Sequence, residues 1–427
     1  MSAESAAPVP KPLLLVAIYG SLDHYSSGPK EILEFGRHFS IHIVCSNSRE
    51  AAFDWPPEVT VERVGIHLPY GRRPPWVSAA GWLDYLVFLK RLDRRIARLR
   101  PRVVFSYDSP AFVAASLIRR YRDFRLVYDC YDQWEPERQS RLSLRRQLDL
   151  QAFRDGPRAS LVIFPESARA SYYMERSGDL RPPMILPNYP KLDLVPPIEN
   201  FDALIERRFA RRELLYTGTI ESAVALPETI MAIAGTNGCL RVFGSARAET
   251  QRQLDELVER LKLTGRVSFC RWIPHREMIA VSMDATIGLS LYKPISLNQA
   301  AMVSASNKLW EYAARGIPAV VPDTANYRGK LAGEEWVAFA DLNDPESIAI
   351  ALRWFLDHRE RYVRASHAAR LAFEQRYNFD RVAPGVIAEL LSLAEPKSTS
   401  QAFTSGGVPN TSATGSRTVA PDKIART

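Results

Sequence analysis

Two charged side chains one helical turn apart offer the clearest chemistry in this sequence. Lys308 and Glu311 lie in the stretch SNKLWEYAARGIPAVVPD, residues 306–323. Its first serine suits a helix N-cap that accepts a hydrogen bond from a free amide. Gly316 suits the left-handed position after the last turn, and Pro318 prevents continuation. Residues three apart share a helix face, so the ammonium and the carboxylate lie together near the positive end of the helix dipole.

This arrangement has two interpretations. A helix N-terminus with a nearby lysine suits a diphosphate, and a carboxylate one turn on can accept hydrogen bonds from ribose or sugar hydroxyls. The alternative is a surface ion pair, because lysine and glutamate three apart are common on solvated helices. Spacing alone leaves both open.

The stretch resembles the donor-site motif of group 1 (family 4 type) glycosyltransferases, P-N-K-x-x-E-Y-x-A-x-G-x-P-V-V. The residues in register are Asn307, Lys308, Glu311, Tyr312, Ala314, Gly316 and Pro318. The resemblance implies the GT-B fold, an α/β architecture of two Rossmann-like doubly wound domains that face a cleft. It also implies that Glu311 holds the nucleotide ribose. Shorter resemblances follow in order over about residues 12 to 393.

Several of these shorter matches add donor-binding candidates. The strand ELLYTGTI, residues 213–220, resembles the family strand ending in Y-x-G, where glycine lets backbone amides approach a phosphate. The loop 293–305 leads into the motif helix, so we expect it to close over the donor, with Asn298 and Gln299 near the sugar. The donor-binding candidates are Gly218, Thr219, Gly244, Tyr292, Lys293, Ser304, Ser306, Asn307, Lys308 and Glu311.

Two positions depart from the family pattern. Val303 stands where many retaining members carry a first glutamate, eight residues before the second, and Thr219 replaces the usual arginine of the G-R-L segment. These departures leave the stereochemical outcome and the donor sugar open.

The first half of the chain supplies acceptor-site candidates. The apolar run 13–20 predicts a buried parallel strand, followed by a loop, a helix and the strand 41–46, with neither a G-x-G-x-x-G nor a P-loop pattern. Loops after parallel strands lie at the carboxyl edge of the sheet, where ligands bind. Ser21, Asp23, His24 and Gly28 are therefore acceptor-binding candidates, with a solvated loop as the alternative.

Aspartates at the ends of two further strands are candidates for the catalytic base. The strands are predicted in residues 102–110 and 125–134. A carboxylate there can take a proton from an attacking hydroxyl. The resembled family often reads Y-D-x-x-D at the second place, and related inverting enzymes use a first-domain carboxylate as base. We rank Asp132 first and Asp108 second, with capping of the next helix as the alternative for each.

Strands alternating with helices predict two parallel sheets. We expect an acceptor-binding domain at 12–195, completed by a crossing helix at 376–395, and a donor-binding domain at 210–375. The proline- and charge-rich segment between them suggests a linker. Residues 1–11 and 396–427 lack the apolar content to fold, so disorder is predicted for both.

Composition narrows the partners of this 427-residue chain. A net charge of +8 indicates attraction to anions, but the sequence has no zinc-finger, RNP or KH pattern, so no nucleic-acid partner is predicted. Four scattered cysteines without a C-x-x-C pair and the lack of a D-x-D motif favour neither a metal nor a resident cofactor. With no apolar run of membrane-spanning length and no signal sequence, a cytoplasmic location is predicted.

The helical stretch Trp76–Arg100 combines an apolar stripe with arginines and lysine. Such a helix can lie on an anionic membrane, which would place the protein on the inner face of the plasma membrane, or it can pack its stripe in a core.

We therefore predict a metal-independent glycosyltransferase of hexosyltransferase type. It would use a nucleotide-sugar donor and a glycan or lipid-linked acceptor in surface glycan synthesis. A nucleotide-sugar epimerase, a phosphorylase-like enzyme and a non-catalytic nucleotide- or sugar-binding module remain alternatives.

Overall fold

Two parallel sheets organise the chain. The structure, a computed structural model, describes residues 10–20, 22, 27–46, 53–64, 78–195, 197–271, 273 and 275–396. The acceptor candidates Ser21, Asp23 and His24, the start of the stretch Trp76–Arg100, and the predicted disordered ends, except residues 10, 11 and 396, lie outside the described residues.

The first sheet contains seven parallel strands. They are β1 (Leu13–Ile18), β2 (Ser40–Ser46), β3 (Val59–Val64), β4 (Val103–Tyr107), β5 (Arg125–Asp129), β6 (Leu161–Phe164) and β7 (Met184–Ile185). The helices between them are α1 (Gly28–Phe35), α2 (Ala79–Leu99), α3 (Asp108–Arg119), α4 (Leu144–Asp155) and α5 (Ser167–Ser177). The spatial order is β3-β2-β1-β4-β5-β6-β7. The order therefore reverses between β1 and β4, and ligands of doubly wound folds bind at the carboxyl ends of such a pair.

The second sheet repeats this topology with six parallel strands. They are β8 (Glu213–Thr217), β9 (Cys239–Phe243), β10 (Val267–Cys270), β11 (Ile287–Leu289), β12 (Ala319–Pro322) and β13 (Val337–Ala340). The helices of this half are α6 (Phe201–Arg211), α7 (Leu226–Ala234), α8 (Ala248–Arg260), α9 (His275–Val281), α10 (Leu297–Ala300), α11 (Asn307–Ala314), α12 (Ala325–Leu331), α13 (Pro345–Leu356) and α14 (Arg359–Gln375). The order β10-β9-β8-β11-β12-β13 places a second reversal between β8 and β11. The predicted doubly wound α/β fold class is confirmed.

The last helix, α15 (Phe379–Ala394), returns to the first sheet. Its buried Phe379, Val386 and Leu390 share one hydrophobic cluster with strand residues of β1 and β4. The two sheets and α15 belong to one compact unit, which ends at Ala394. We call the part built on the first sheet, with α15, the first lobe, and the part built on the second sheet the second lobe. The domain limits proposed from the sequence stay a prediction.

The segment interpreted as a linker contains a helix instead. α6 begins after Asn200, whose side chain accepts a hydrogen bond from the amide of Ala203, and it buries Leu204, Ile205 and Arg208. The linker prediction was wrong because prolines and charges at its edges concealed this buried helical spacing. No helix in the described part of the chain is both long and apolar enough to cross a membrane.

Candidate functional site

The motif helix α11 has the predicted ends but not the predicted cap. It begins at Asn307 and ends at Ala314, and Gly316 adopts a left-handed φ of 66°. Ser306 occupies the N-cap position, but its hydroxyl makes no hydrogen bond to the helix amides, so the predicted side-chain cap was wrong. That hydroxyl is buried and has no partner among the described residues. The start of α11 therefore offers free donors to a ligand.

The ammonium of Lys308 lies between two tyrosine side chains. Its Nζ is 2.8 Å from the hydroxyl oxygen of Tyr292 and 3.4 Å from that of Tyr216. The same atom lies 4.3 and 4.4 Å from the two ring centroids. Lys308 is 8% exposed, and no carboxylate of the described residues is within ion-pair distance of it. A buried cation without a carboxylate partner favours an anionic ligand.

The two glycines predicted at the strand ends are brought together beside Lys308. Gly218 has a φ of 129°, which side chains rarely adopt, and a Cβ there would lie 2.9 Å from the Lys308 Nζ. A Cβ on Gly244 would overlap the carbonyl oxygen of Gly218. Thr219 is exposed, and its carbonyl accepts a hydrogen bond from the Tyr216 hydroxyl, 2.9 Å away. The positive φ therefore explains Gly218, and close backbone approach explains Gly244; together they leave the loop open next to a cation.

Glu311 forms a separate cluster on the same helix. Its Oε1 is 2.6 Å from Nε2 of His275, and its Oε2 is 3.6 Å from a guanidinium nitrogen of Arg315. Burial opposes ionisation, but the charges of His275, Arg315 and Lys30 prevail and lower the pKa of Glu311 to about 2. The charge of Glu311 in turn raises the pKa of His275. The carboxylate is therefore ionised and able to accept hydrogen bonds from hydroxyls.

Glu311 faces a cavity of about 350 Å³ between α1 and α11. The lining comes from α1, from the segment after β7 and from the second lobe: Pro29, Lys30, Leu33, Arg37, Phe53, Asn188, Pro190, Lys191, Asp193, His275, Asn307 and Glu311. Pockets for small ligands range over about 300–1,000 Å³. Asn307 and Glu311 thus share one cavity, whereas Lys308 contacts the loop at Gly218.

Some residues of the loop before α11 lie at the candidate site, and others form the contact between the two lobes. Lys293 pairs with Glu228 at 2.6 Å, so its charge is already balanced. The amide of Ser304 donates to Glu166 Oε2 at 2.9 Å, which makes this residue part of the contact with the first lobe. Asn298 and Gln299 each have a buried side-chain carbonyl oxygen without a partner among the described residues. The hydrogen-bonding capacity of these two oxygens is therefore unsatisfied within the described residues.

The position of the missing first glutamate is enclosed in the core. Val303 is 1% exposed, its carbonyl accepts a hydrogen bond from the Trp310 indole at 2.9 Å, and its amide donates to Asn326. Because its side chain is enclosed in the core and its backbone is held by two hydrogen bonds, Val303 cannot contact a ligand.

The two catalytic candidates follow neighbouring strands, β4 and β5, at the carboxyl edge of the first sheet. Asp108 is buried, has a φ of 58°, and its Oδ1 accepts hydrogen bonds from the amides of Tyr131 and Asp132 at 3.0 and 3.1 Å. The side chain of Asp132 is 48% exposed. Asp132 is thus the more accessible of the two carboxylates.

Gly28 is the acceptor-binding candidate that lies within the described residues. It begins α1, where a Cβ would lie 2.5 Å from Leu22, so packing alone accounts for this glycine.

Arg169 and Glu166 are functional-site neighbours that sequence reasoning missed. The buried Arg169 lies 3.9 Å from Asp132, and it donates to the carbonyls of Ala301 and Asn298, both at 3.0 Å. It therefore links Asp132 of the first lobe to the loop that precedes α11. His275, the first residue of α9, was also missed. Arg169 lies more than 120 positions from its loop partners, and nothing local in the sequence indicates the contact.

A buried acidic pair lies beneath this edge. Burial, with the charges of Glu31 and Asp108, raises the pKa of Asp129 well above its usual value, and burial likewise raises that of Glu31. Glu31 accepts a hydrogen bond from the Tyr107 hydroxyl at 2.9 Å. Burial therefore works against the charged form of each carboxyl group. Within the described residues, no three His, Cys, Asp or Glu side chains are grouped to hold a metal ion.

Comparison with known proteins shows which class of protein this chain resembles. Residues 229–388 match the family described as glycosyl transferase-like, and no curated protein matches the chain. Three similar solved structures share the whole architecture. Sucrose-phosphate synthase from Thermosynechococcus elongatus is 14% identical with a TM-score of 0.69, covering 90% of this chain and 100% of its own. Anabaena HepE in complex with UDP is 15% identical with a TM-score of 0.66, covering 89% and 99%.

The third structure is WaaG, a glycosyltransferase involved in lipopolysaccharide biosynthesis. It is 13% identical with a TM-score of 0.63, covering 88% of this chain and 98% of its own. The fold and the matched family confirm the resemblance found in the sequence, to group 1 glycosyltransferases of the GT-B fold. Sugar transfer from a nucleotide donor is the activity that these similarities support.

Proposed function

We propose that this protein transfers a hexose from a nucleoside diphosphate sugar to a glycan or lipid-linked acceptor in surface glycan synthesis. UDP-sugars are the first candidates, because HepE has been solved with UDP and with UDP-glucose. The acceptor class is supported by the similarity to WaaG, which is involved in lipopolysaccharide biosynthesis.

The proposal rests on one observation: successive turns of α11 present two oppositely charged side chains to two adjoining places. Its first turn presents the unbalanced cation of Lys308 beside the open backbone of Gly218, and its next turn presents the ionised Glu311 to a cavity. A diphosphate at the first and a ribose at the second would lie one helical turn apart. That separation matches two neighbouring parts of one nucleotide.

The proposed mechanism follows from these positions. The acceptor hydroxyl attacks the anomeric carbon, its proton passes to the carboxylate of Asp132, and the bond to the nucleoside diphosphate breaks. Lys308 and the amides at the start of α11 stabilise the negative charge that develops on the leaving diphosphate. Because these groups supply the positive charge, we propose that turnover needs no metal and persists in EDTA.

Replacing Glu311 with glutamine tests the donor site. We expect titration calorimetry to show that wild-type protein binds one of UDP, GDP and ADP, and that Glu311→Gln weakens this binding at least tenfold, about 1.4 kcal/mol. The physical reason is the loss of charge-assisted hydrogen bonds to the ribose hydroxyls. Glu213→Gln is the matched control, since Glu213 is also buried and paired with arginines, Arg211 and Arg241, outside the site.

The same titration, together with activity assays on the ligands that bind, separates the alternatives. Folded wild-type protein that binds none of the three nucleotides would refute the glycosyltransferase proposal. Binding of a nucleotide sugar followed by conversion without any acceptor would indicate the epimerase instead. Binding without turnover over a broad acceptor panel would indicate a non-catalytic module.

A second part of the proposal places the protein in the cytoplasm, on the inner face of the plasma membrane, through α2. This helix buries Tyr85, Phe88, Leu92 and Ile96, so the predicted apolar stripe packs in the core. Its outer face exposes Trp82, Leu83 and Leu86, followed by the exposed basic residues Lys90, Arg91, Arg94 and Arg98. An apolar patch with adjoining positive charge is complementary to an anionic lipid surface.

Charge reversal on α2 tests this placement. Arg91→Glu with Arg94→Glu is expected to weaken sedimentation with phosphatidylglycerol-containing vesicles by at least about 30-fold, from about 1 kcal/mol per basic residue. Leu371→Ser, an exposed leucine on α14, should leave the binding unchanged. Equal binding of wild type to pure phosphatidylcholine vesicles, or no effect of the double variant, would contradict an anionic lipid partner.

A further inference from the structure

The cavity that Glu311 faces has a second wall, formed by the first lobe. Lys30 on α1 and Asn188 in the segment after β7 both line it, opposite His275, Asn307 and Glu311 of the second lobe. Neither residue belongs to the motif that predicted the donor site.

Lys30 carries a positive charge without a balancing carboxylate. Its Nζ donates to the carbonyl of Tyr189 at 2.6 Å and lies 5.1 Å from the ring centroid of Phe379. No carboxylate among the described residues comes within ion-pair distance of it. Burial lowers the pKa of Lys30 to about 8, although the charges of Glu31 and Glu311 oppose this shift. An anion in the cavity would balance this half-buried positive charge.

Asn188 supplies a complementary acceptor. The residue is 5% exposed, and its backbone amide and side-chain amide donate to the carbonyls of Ser304 and Ala305 at 2.9 and 2.8 Å. Its side-chain oxygen, in contrast, is buried with no partner in the part of the chain that the structure describes. A buried carbonyl oxygen without a partner costs free energy until a donor reaches it. A ribose hydroxyl or a base N–H provides such a donor.

We propose that Lys30 and Asn188 form the first-lobe half of the nucleotide site. Lys30 binds the phosphate-bearing part of the nucleotide, and Asn188 accepts a hydrogen bond from its nucleoside part. The donor therefore contacts both lobes, and its binding stabilises their contact. This inference rests on the proposed nucleotide-sugar function and adds residues to the same site.

Calorimetry on Lys30→Met tests the inference with whichever of UDP, GDP and ADP the wild type binds. We expect the nucleotide to bind at least tenfold more weakly, whereas the matching nucleoside, measured by competition, changes less than twofold. A merely structural role would weaken both ligands alike. Lys11→Met is the matched control, because Lys11 also donates to a backbone carbonyl, that of Gly36 at 2.7 Å, but outside the cavity.

A second variant, Asn188→Ala, is expected to weaken the nucleotide and the nucleoside by the same factor, because both contain the nucleoside part that Asn188 binds. Unchanged affinity for both ligands in folded Asn188→Ala protein would refute the role of Asn188. Should this variant not fold, the Lys30 comparison decides alone. Unchanged nucleotide affinity in Lys30→Met, with loss of binding in Glu311→Gln, would overturn this inference and leave the proposed function in place. Absence of nucleotide binding in the wild type would overturn both.

Discussion

Replacing Lys308 with methionine is expected to lower the turnover number for sugar transfer by about 100- to 1,000-fold. This is the loss that follows when one preorganised donor to a developing negative charge is removed. Lys308 is buried between Tyr216 and Tyr292, so it is positioned before the reaction begins. Methionine retains the length and apolar volume of the stem, and the change is therefore largely the loss of the charge.

The measurement is the initial rate of nucleotide release with saturating donor and acceptor. Lys330→Met is a matched control, because the ammonium of Lys330 also lies over two tyrosine rings, those of Tyr189 and Tyr377, at 5.9 and 5.7 Å. We expect this exposed control to retain wild-type turnover. A Lys308→Met enzyme that releases nucleotide at the wild-type rate would show that Lys308 is a packing residue and that the diphosphate binds elsewhere.

Replacing Gly244 with alanine is expected to reduce both stability and donor binding. The added Cβ overlaps the carbonyl oxygen of Gly218, a backbone atom that can yield only if its loop moves. Overpacking of this kind costs about 1–3 kcal/mol in the free energy of unfolding. Because the displaced loop holds the backbone next to Lys308, we also expect the nucleotide affinity to fall by more than tenfold.

Chemical denaturation and calorimetry on the same variant measure the two effects. Gly329→Ala is the control: this glycine lies in α12, a Cβ added to it would meet no neighbouring atom within 4 Å, and alanine favours a helix. It should bind nucleotide as the wild type does, with equal or slightly higher stability. Normal stability together with normal nucleotide affinity in Gly244→Ala would contradict the close approach of the two strand ends.

The sequence was sufficient for the fold class and for the ends of the motif helix α11. Alternating buried strands and helices predict parallel sheets, and the structure has two of them with the same reversal of strand order. The left-handed Gly316 follows from local chemistry, since glycine and a following proline terminate a helix in any context. The pairing of Lys308 and Glu311 on one helix is likewise local, because it depends only on spacing.

Only the tertiary structure decided what faces that helix. Lys30 is 281 positions before Glu311 in the chain, and no local pattern distinguishes it from other lysines. The α6 helix, hidden among prolines and arginines, was recognised only from its burial. The sequence alone predicted those proposed donor-binding residues that lie within single elements. The placement of Arg169, Asn188 and Lys30 opposite the second lobe, and the contact of His275 with Glu311, depend on packing between distant segments, which local propensity does not encode.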